Sequence, residues 1–386
     1  MDFLERTMLI ERGTSVGCYA ILLFIVCYFI NTSKSHKRIC SVLNFYLLIL
    51  TVMAFFFIPE KFHDLYRLWE ISKGYSKSQF GSFFNNKVLS SQSPLSELLL
   101  YCGGKIGVLG VLPATFCLIF FGRVFGLLKK FSKKKQVNGE VIAMSLFLFM
   151  STGSFLEVIS DLRSFTAIAI VGTCIVDEIC FQKKFLFNIP LYIVGGLLHL
   201  TAVPLIIFRL LFFIFFEHKV SEIKRIADII DIIAVLGMIV VMAVFGRSYI
   251  VDALDKSSHY ITSDSSYTYK WEYIIGFIQL ITDIYVVSFL SETKPIGEQK
   301  KLRIMAICII LFELCFSFEY NTFHRYLVFL NILSLSYVCE LGVSANAFKL
   351  CFGKKTDMLY LLVFATLLLV ITRGNLCGFK FFKLSA

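Results

Sequence analysis

Four short polar clusters interrupt an otherwise apolar sequence, and each holds groups that bind anions or move protons. They are Phe62-His63-Asp64-Leu65-Tyr66-Arg67, Ser160-Asp161-Leu162-Arg163-Ser164, His199-Leu200-Thr201 and Tyr320-Asn321-Thr322-Phe323-His324-Arg325-Tyr326. Arg247 stands alone at the end of another apolar run. Asp64 and Arg67 are three residues apart, so a helical turn puts them on one face. Arg163 and Arg325 each fall where a helix is expected to begin. The macrodipole alone disfavours a cation there, but an anion shared between the helix end and the guanidinium accounts for it. A guanidinium fork bonds two phosphate oxygens at once, so several Arg converging on one cavity suit a pyrophosphate. His199 and Asp64 are groups in these clusters of a type that takes up a proton. Residue type does not choose between them.

Plainer roles exist for each. Arg163 has Asp161 as a counter-ion or lipid headgroups within reach, and Arg325 beside Tyr326 fits an interface anchor. Asp64 has Arg67 as a partner, and His63 and His324 fit structural positions. Asp228, Asp231, Asp283 and Glu313 lie in or at the ends of apolar runs, where they suit hydrogen bonding inside a bundle. Several other chemistries lack their residues. The sequence has no G-x-x-x-x-G-K-[ST] phosphate loop, no H-E-x-x-H and no G-x-S-x-G. None of the 12 Cys forms a C-x-x-C pair, so no metal and no cofactor is expected, and most Cys read as small apolar fillers.

The elements that must position these clusters follow from composition. Of 386 residues, 57% are apolar and only 17% charged, and mean hydropathy is +0.77. A soluble domain carries about 25% charge, and no soluble core of this size hides 42 Phe. The composition predicts an all-α polytopic membrane protein and excludes a soluble enzyme, a disordered chain and a disulfide-stapled domain. Basic residues fall in short clusters between apolar runs rather than along a stripe, so nucleic acid is not an expected partner.

Twelve segments read as transmembrane helices: 15–30, 39–58, 106–128, 140–158, 163–181, 185–198, 200–216, 228–246, 272–290, 303–318, 326–346 and 358–372. The first reads as a retained helix rather than a cleaved signal. The long run from Phe185 to Phe216 is divided at His199 and Pro204, because basic residues flank both of its ends. Loops 31–38, 129–139, 182–184, 217–227, 291–303 and 348–357 hold more than half of the chain's 38 Lys and Arg. By the positive-inside rule these loops are cytoplasmic and both termini lie outside. Residues 1–386 then form a single integral membrane domain. Its two long outer loops are 60–105, with a surface or re-entrant helix at its apolar stretch 95–102, and 247–271. The polar clusters fall on the same outer side.

Several of these runs resemble the EpsG-like and Wzy-type polymerases of polysaccharide repeat units. The resemblance rests on FLEVISDLRSFTAIAIVGTCIVD from Phe155, a basic turn at Lys183-Lys184, and GGLLHLTAVPLI around His199. PEKFHDLYRLWE, with Asp64, Tyr66 and Arg67, is similar to the family's outward segment after its second helix. FEYNTFHRYLVFLNIL, with Arg325-Tyr326, is similar to its second Arg motif. His324 beside Arg325 departs from that pattern. The resemblance covers about residues 16–372 in layout.

It implies a GT-C-like, metal-independent glycosyltransferase in the bacterial inner membrane. Such an enzyme joins undecaprenyl-pyrophosphate-linked oligosaccharides into O-antigen, capsule or exopolysaccharide on the outer face, alongside a chain-length regulator. Arg163 and Arg325 would hold the pyrophosphate, with Arg67 and Arg247 in support and His199 or Asp64 as base. A flippase for the same lipid-linked sugar and an O-antigen ligase are the competing readings.

Overall fold

The computed structural model describes residues 19–57, 59, 64–152, 155–214, 270–290, 295–317 and 320–343. Among them every regular element is helical and none is a strand. The helices are α1 (Tyr19–Asn31), α2 (His36–Phe55), α3 (Asp64–Tyr75), α4 (Phe80–Phe83), α5 (Pro94–Ile106), α6 (Val111–Lys134) and α7 (Gly139–Thr152). There follow α8 (Phe155–Ser160), α9 (Leu162–Phe181), α10 (Ile189–Leu198), α11 (Ala202–Phe212), α12 (Lys270–Phe289), α13 (Gly297–Phe316) and α14 (Tyr320–Leu341). The expected segments 228–246 and 358–372, the loop 247–271, Arg247 and His63 lie outside the described residues. The other ten expected segments each overlap helix within the described residues, with 140–158 falling on both α7 and α8.

Among the described residues three helices, α2, α6 and α9, are long and apolar enough to cross a membrane. On α2, Ile39, Leu43, Tyr46, Leu50 and Ala54 repeat at helical spacing and are buried, largely against α6. Its other face leaves Phe45, Leu48 and Val52 exposed. An apolar stripe buried on one side and an apolar face left open on the other is what a lipid-facing helix looks like.

Helix α9 is the axis of the fold. It is buried on all sides, with 94% of its spanning window buried, and α6, α10, α11 and α14 all pack on it. Small residues bring neighbours close. A Cβ on Gly172 would sit 2.9 Å from the Phe329 ring of α14, and one on Gly195 of α10 would sit 2.7 Å from Val171.

The division at His199 is seen as a real break. Helix α10 stops at Leu198, His199 is extended, and α11 starts at Ala202 with Pro204 in its first turn, where proline is tolerated. The two short helices stand side by side along α9 as a hairpin. A buried polar knot fixes its open end. Arg209 of α11 donates to Glu178 of α9 at 2.7 Å, and Tyr192 and Asn188 donate to the same carboxylate at 2.7 and 3.0 Å.

Boundaries differ from expectation at two places of consequence. Helix α6 starts at Val111 rather than 106, because α5 runs through Ile106 and ends on Gly107 in the left-handed region, φ 74°. Helix α14 starts at Tyr320 rather than 326, so Arg325 lies in its second turn and not at its N-terminus.

Among the described residues, the basic loops 31–38 and 129–139 meet at one end of α9. Lys130 binds Asp177 at 2.6 Å, Lys134 lies over the Phe181 ring, Lys135 pairs with Glu340, and His36 bonds Ser132. The opposite end of α9 is 20 residues away, about 30 Å at helical rise. That distance matches the hydrocarbon core of a bilayer, about 30 Å.

Candidate functional site at the N-terminal end of α9

Four elements meet at the far end of α9, and each delivers one of the polar clusters. Helix α3 brings Asp64 and Arg67, the junction of α8 and α9 brings Asp161 and Arg163, the turn between α10 and α11 brings His199 and Thr201, and α14 brings Arg325. Helix α3 packs on α8, and α8, α10, α11 and α14 all pack on α9. Residues separated by most of the chain thereby become neighbours.

Two ion pairs organise the cluster. Arg325 Nε donates to Asp161 Oδ2 at 3.0 Å. Arg67 pairs with Asp64 at 2.5 Å within the first turn of α3. Arg163 approaches the second oxygen of Asp64 at 3.9 Å, which is electrostatic contact but not a hydrogen bond. Its Nε is buried and has no hydrogen-bond partner. Arg163 therefore keeps a buried donor unused. Among the described residues, three guanidiniums and two carboxylates gather here, an excess of positive charge.

Burial alone would raise the Asp161 carboxyl. The charge on Arg325 and the Ser164 hydroxyl outweigh it and hold Asp161 down at about 2. Asp161 is thus a fixed anion at any physiological pH. It also occupies the N-cap position of α9 without its side chain capping the helix. The first-turn N–H groups of α9 lie beside Arg163, the arrangement that binds anions.

His199 is held by its own turn. The backbone N–H of Thr201 donates to Nδ1 at 3.3 Å, and the Thr201 hydroxyl lies 3.0 Å from the same nitrogen. A ring nitrogen that accepts from a backbone N–H is unprotonated, so neutral His199 carries its proton on Nε2 and is a donor there. Tyr326 ties the turn to α14 through a hydrogen bond to the Thr201 carbonyl at 3.1 Å. His324 packs edge-on against Phe165, with ring centroids 5.4 Å apart.

Helices α3 and α5 form a cap over this end. Ser72 donates to the Leu100 carbonyl at 2.8 Å and Tyr75 to Glu97 at 2.7 Å. The apolar stretch 95–102 lies within α5, a helix too short to span. Phe83 stacks on Tyr101 and meets Tyr75 edge-on, so these rings form the core of the cap.

Of the residues expected at a site, Asp64, Arg67, Arg163, His199 and Arg325 come together, while Arg247 is outside the described residues. The expected option of an Arg163–Asp161 pair is not realised, because Asp161 goes to Arg325. Sequence reasoning did not give Asp161 a place in the site, nor Thr201 its hold on His199. No protein-family model, curated protein or solved structure matches the chain.

Proposed function

We propose that this chain is a polysaccharide polymerase, a metal-independent membrane glycosyltransferase acting on undecaprenyl-pyrophosphate-linked repeat units. The carrying observation is the meeting of Arg163, Arg325, Asp64 and His199 at one end of α9, opposite the end that gathers the basic loops. Under the positive-inside rule the basic end is cytoplasmic, so the cluster faces outward. No nucleotide sugar is available there, and a lipid-linked donor is needed. The reading includes twelve spans, a GT-C-like architecture, both termini outside, and residence in a bacterial inner membrane with a chain-length regulator as partner.

In this reading the growing glycan leaves its lipid pyrophosphate and joins a hydroxyl of the incoming repeat. The C–O bond to pyrophosphate breaks as the new glycosidic bond forms, and the hydroxyl proton passes to a base. Arg163 and the first-turn N–H groups of α9 hold the charge that develops on the pyrophosphate. Arg325, fixed by Asp161, borders the same anion, and Arg67 and Arg247 contribute positive potential from the rim. Asp64 accepts the proton, whereas His199, with its proton on Nε2, donates a hydrogen bond to substrate.

A second reading, a flippase for the same lipid-linked sugar, draws on the buried carboxyls of Asp283 and Glu313 in the helix interior, since ion-coupled transporters carry such groups near the midplane. Gene deletion separates the two. Complementation with wild type, Arg163→Ala and Arg325→Ala, with surface polysaccharide resolved by length, is the test. A deletion that leaves single repeats on the lipid A core, with a ladder restored by wild type alone, supports the polymerase. Loss of even the single repeat supports the flippase or an O-antigen ligase, and a normal ladder in the deletion overturns both.

A further inference from the structure

Helices α1 and α7 run antiparallel, and four contacts fix their register. The Tyr19 hydroxyl donates to the Met150 carbonyl at 3.2 Å, the Phe24 and Phe147 rings lie 5.3 Å apart, and the Cys27 thiol donates to the Ala143 carbonyl at 3.6 Å. A Cβ on Gly139 would sit 2.3 Å from the Ile30 carbonyl oxygen, so the end of α1 abuts the start of α7. Between the two helices lies an open cleft of about 330 Å³, walled by Phe24, Tyr28, Ala143 and Met144, with Asn31 and Glu140 at its mouth.

The cleft is polar at one end only. Asn31 is the last residue of α1 and Glu140 lies in the first turn of α7, beside the basic loops 31–38 and 129–139. Seven residues along α1 from the mouth, about 10 Å at helical rise, the contact of Phe24 with Phe147 closes the other end. Phe24 and Tyr28 are 46% and 65% exposed, as suits walls that face hydrocarbon. Glu140 is the one charged residue of the lining, and among the described residues it forms no ion pair. Capping of α7 does not use it either, since Asn138 accepts the Val141 N–H at 3.0 Å and fills that role.

A carboxylate and an amide oxygen at the mouth of an apolar cleft suit one kind of occupant. The cleft is at the small end of ligand pockets, about 300–1,000 Å³, and far shorter than the span of about 30 Å along which a transmembrane helix packs. An alkyl chain fits it lengthwise. A chain entering from the mouth brings its headgroup to Glu140 and Asn31. A primary ammonium donates to both oxygens, and its bond to the carboxylate is charge-assisted. A quaternary ammonium has the charge but no N–H, and an anionic headgroup without an ammonium meets a like charge at Glu140. Lys34, exposed three residues beyond Asn31, is at hand for the lipid phosphate.

We propose that the cleft between α1 and α7 binds one phospholipid with a primary-ammonium headgroup, of the phosphatidylethanolamine class, its acyl chain along the cleft and its ammonium on Glu140. The site rests on neither reading of the outer cluster. The test is native mass spectrometry of the full chain in detergent, titrated with phosphatidylethanolamine, phosphatidylcholine and phosphatidylglycerol of identical acyl chains. Wild type should hold its first phosphatidylethanolamine at least about tenfold more tightly than either of the other lipids, the worth of one charge-assisted hydrogen bond.

Two variants separate headgroup from chain. Glu140→Gln, at an exposed position, should fold, still bind lipid and lose the preference for phosphatidylethanolamine. Ala143→Phe fills the cleft and should lower the occupancy of all three lipids together. Equal affinity of wild type for the three lipids, a preference for phosphatidylglycerol, or a preference for phosphatidylethanolamine that survives Glu140→Gln would each overturn the site. So would a dimer of the chain that excludes lipid and dissociates in Ala143→Phe, because a second copy would then be the occupant.

Discussion

Arg325 Nε and Asp161 Oδ2 meet at 3.0 Å across 164 residues of sequence. The pair fastens α14 to the start of α9 and takes up the carboxylate that Arg163 would otherwise use. Arg163 is left with a buried Nε and no hydrogen-bond partner for it. Charge balance at the site therefore depends on which Arg the aspartate chooses, and Asp161→Asn is expected to disturb both guanidiniums together.

The same pair has an acid signature. Asp161 sits at about 2 when folded, against about 3.9 in an unfolded chain. A depressed carboxyl contributes stability that is fully present above its unfolded value and lost as pH falls toward its folded value. The contribution at neutral pH is about 2 kcal/mol. Unfolding of detergent-solubilised wild type and Asp161→Asn should differ by that amount at pH 6 and converge near pH 2. A gap that persists unchanged to pH 2 would contradict the assignment.

Deeper in the fold, Glu178 and Arg209 are 2% and 4% exposed and hydrogen-bonded at 2.7 Å. Removing one member strands the other, so Glu178→Ala or Arg209→Ala should each cost about 3–5 kcal/mol. Replacing both together should cost less than the sum. A double-mutant cycle by thermal unfolding reads this directly, and additivity would show that the pair does not hold the α10–α11 hairpin.

Close packing at Gly195 gives a steric prediction. A side chain there meets Val171 at 2.7 Å, so Gly195→Leu should destabilise by about 1–3 kcal/mol. The variant should also displace His199 at the tip of the same hairpin, lowering polymer yield in cells beyond what the loss of protein explains. Equal yield per folded protein would separate the hairpin from the site.

Asp64 and His199 are expected to respond differently. A general base contributes about 10²–10⁴-fold, so Asp64→Asn should lower polymer formation by at least about 10²-fold. His199→Gln keeps a donor near Nε2 and should lose about tenfold or less. The reverse order would exchange their roles.

The sequence made the polar clusters and the helices visible for one physical reason: an apolar run long enough to span leaves little room for charge, so charges mark the ends. That logic located Asp64, Arg163, His199 and Arg325 and divided the run at His199. It did not reveal who pairs with whom. Asp161 stands two residues from Arg163, a spacing that points side chains apart on a helix, and its true partner is remote in sequence. Arg325 was expected at a helix start because hydropathy begins to rise at Tyr326, yet α14 is already helical from Tyr320, since polar residues are accepted in a helix's first turns.

The most direct measurement is polymerisation by purified protein in liposomes supplied with undecaprenyl-pyrophosphate-linked repeats. Wild type should release undecaprenyl pyrophosphate and form lengthened glycan without nucleotide sugar or added metal. Arg163→Ala should slow that product by about 10²–10³-fold, with partial recovery in Arg163→Lys because a point charge replaces the fork. No lengthened glycan from folded wild type, or an unchanged rate in Arg163→Ala, would contradict the account.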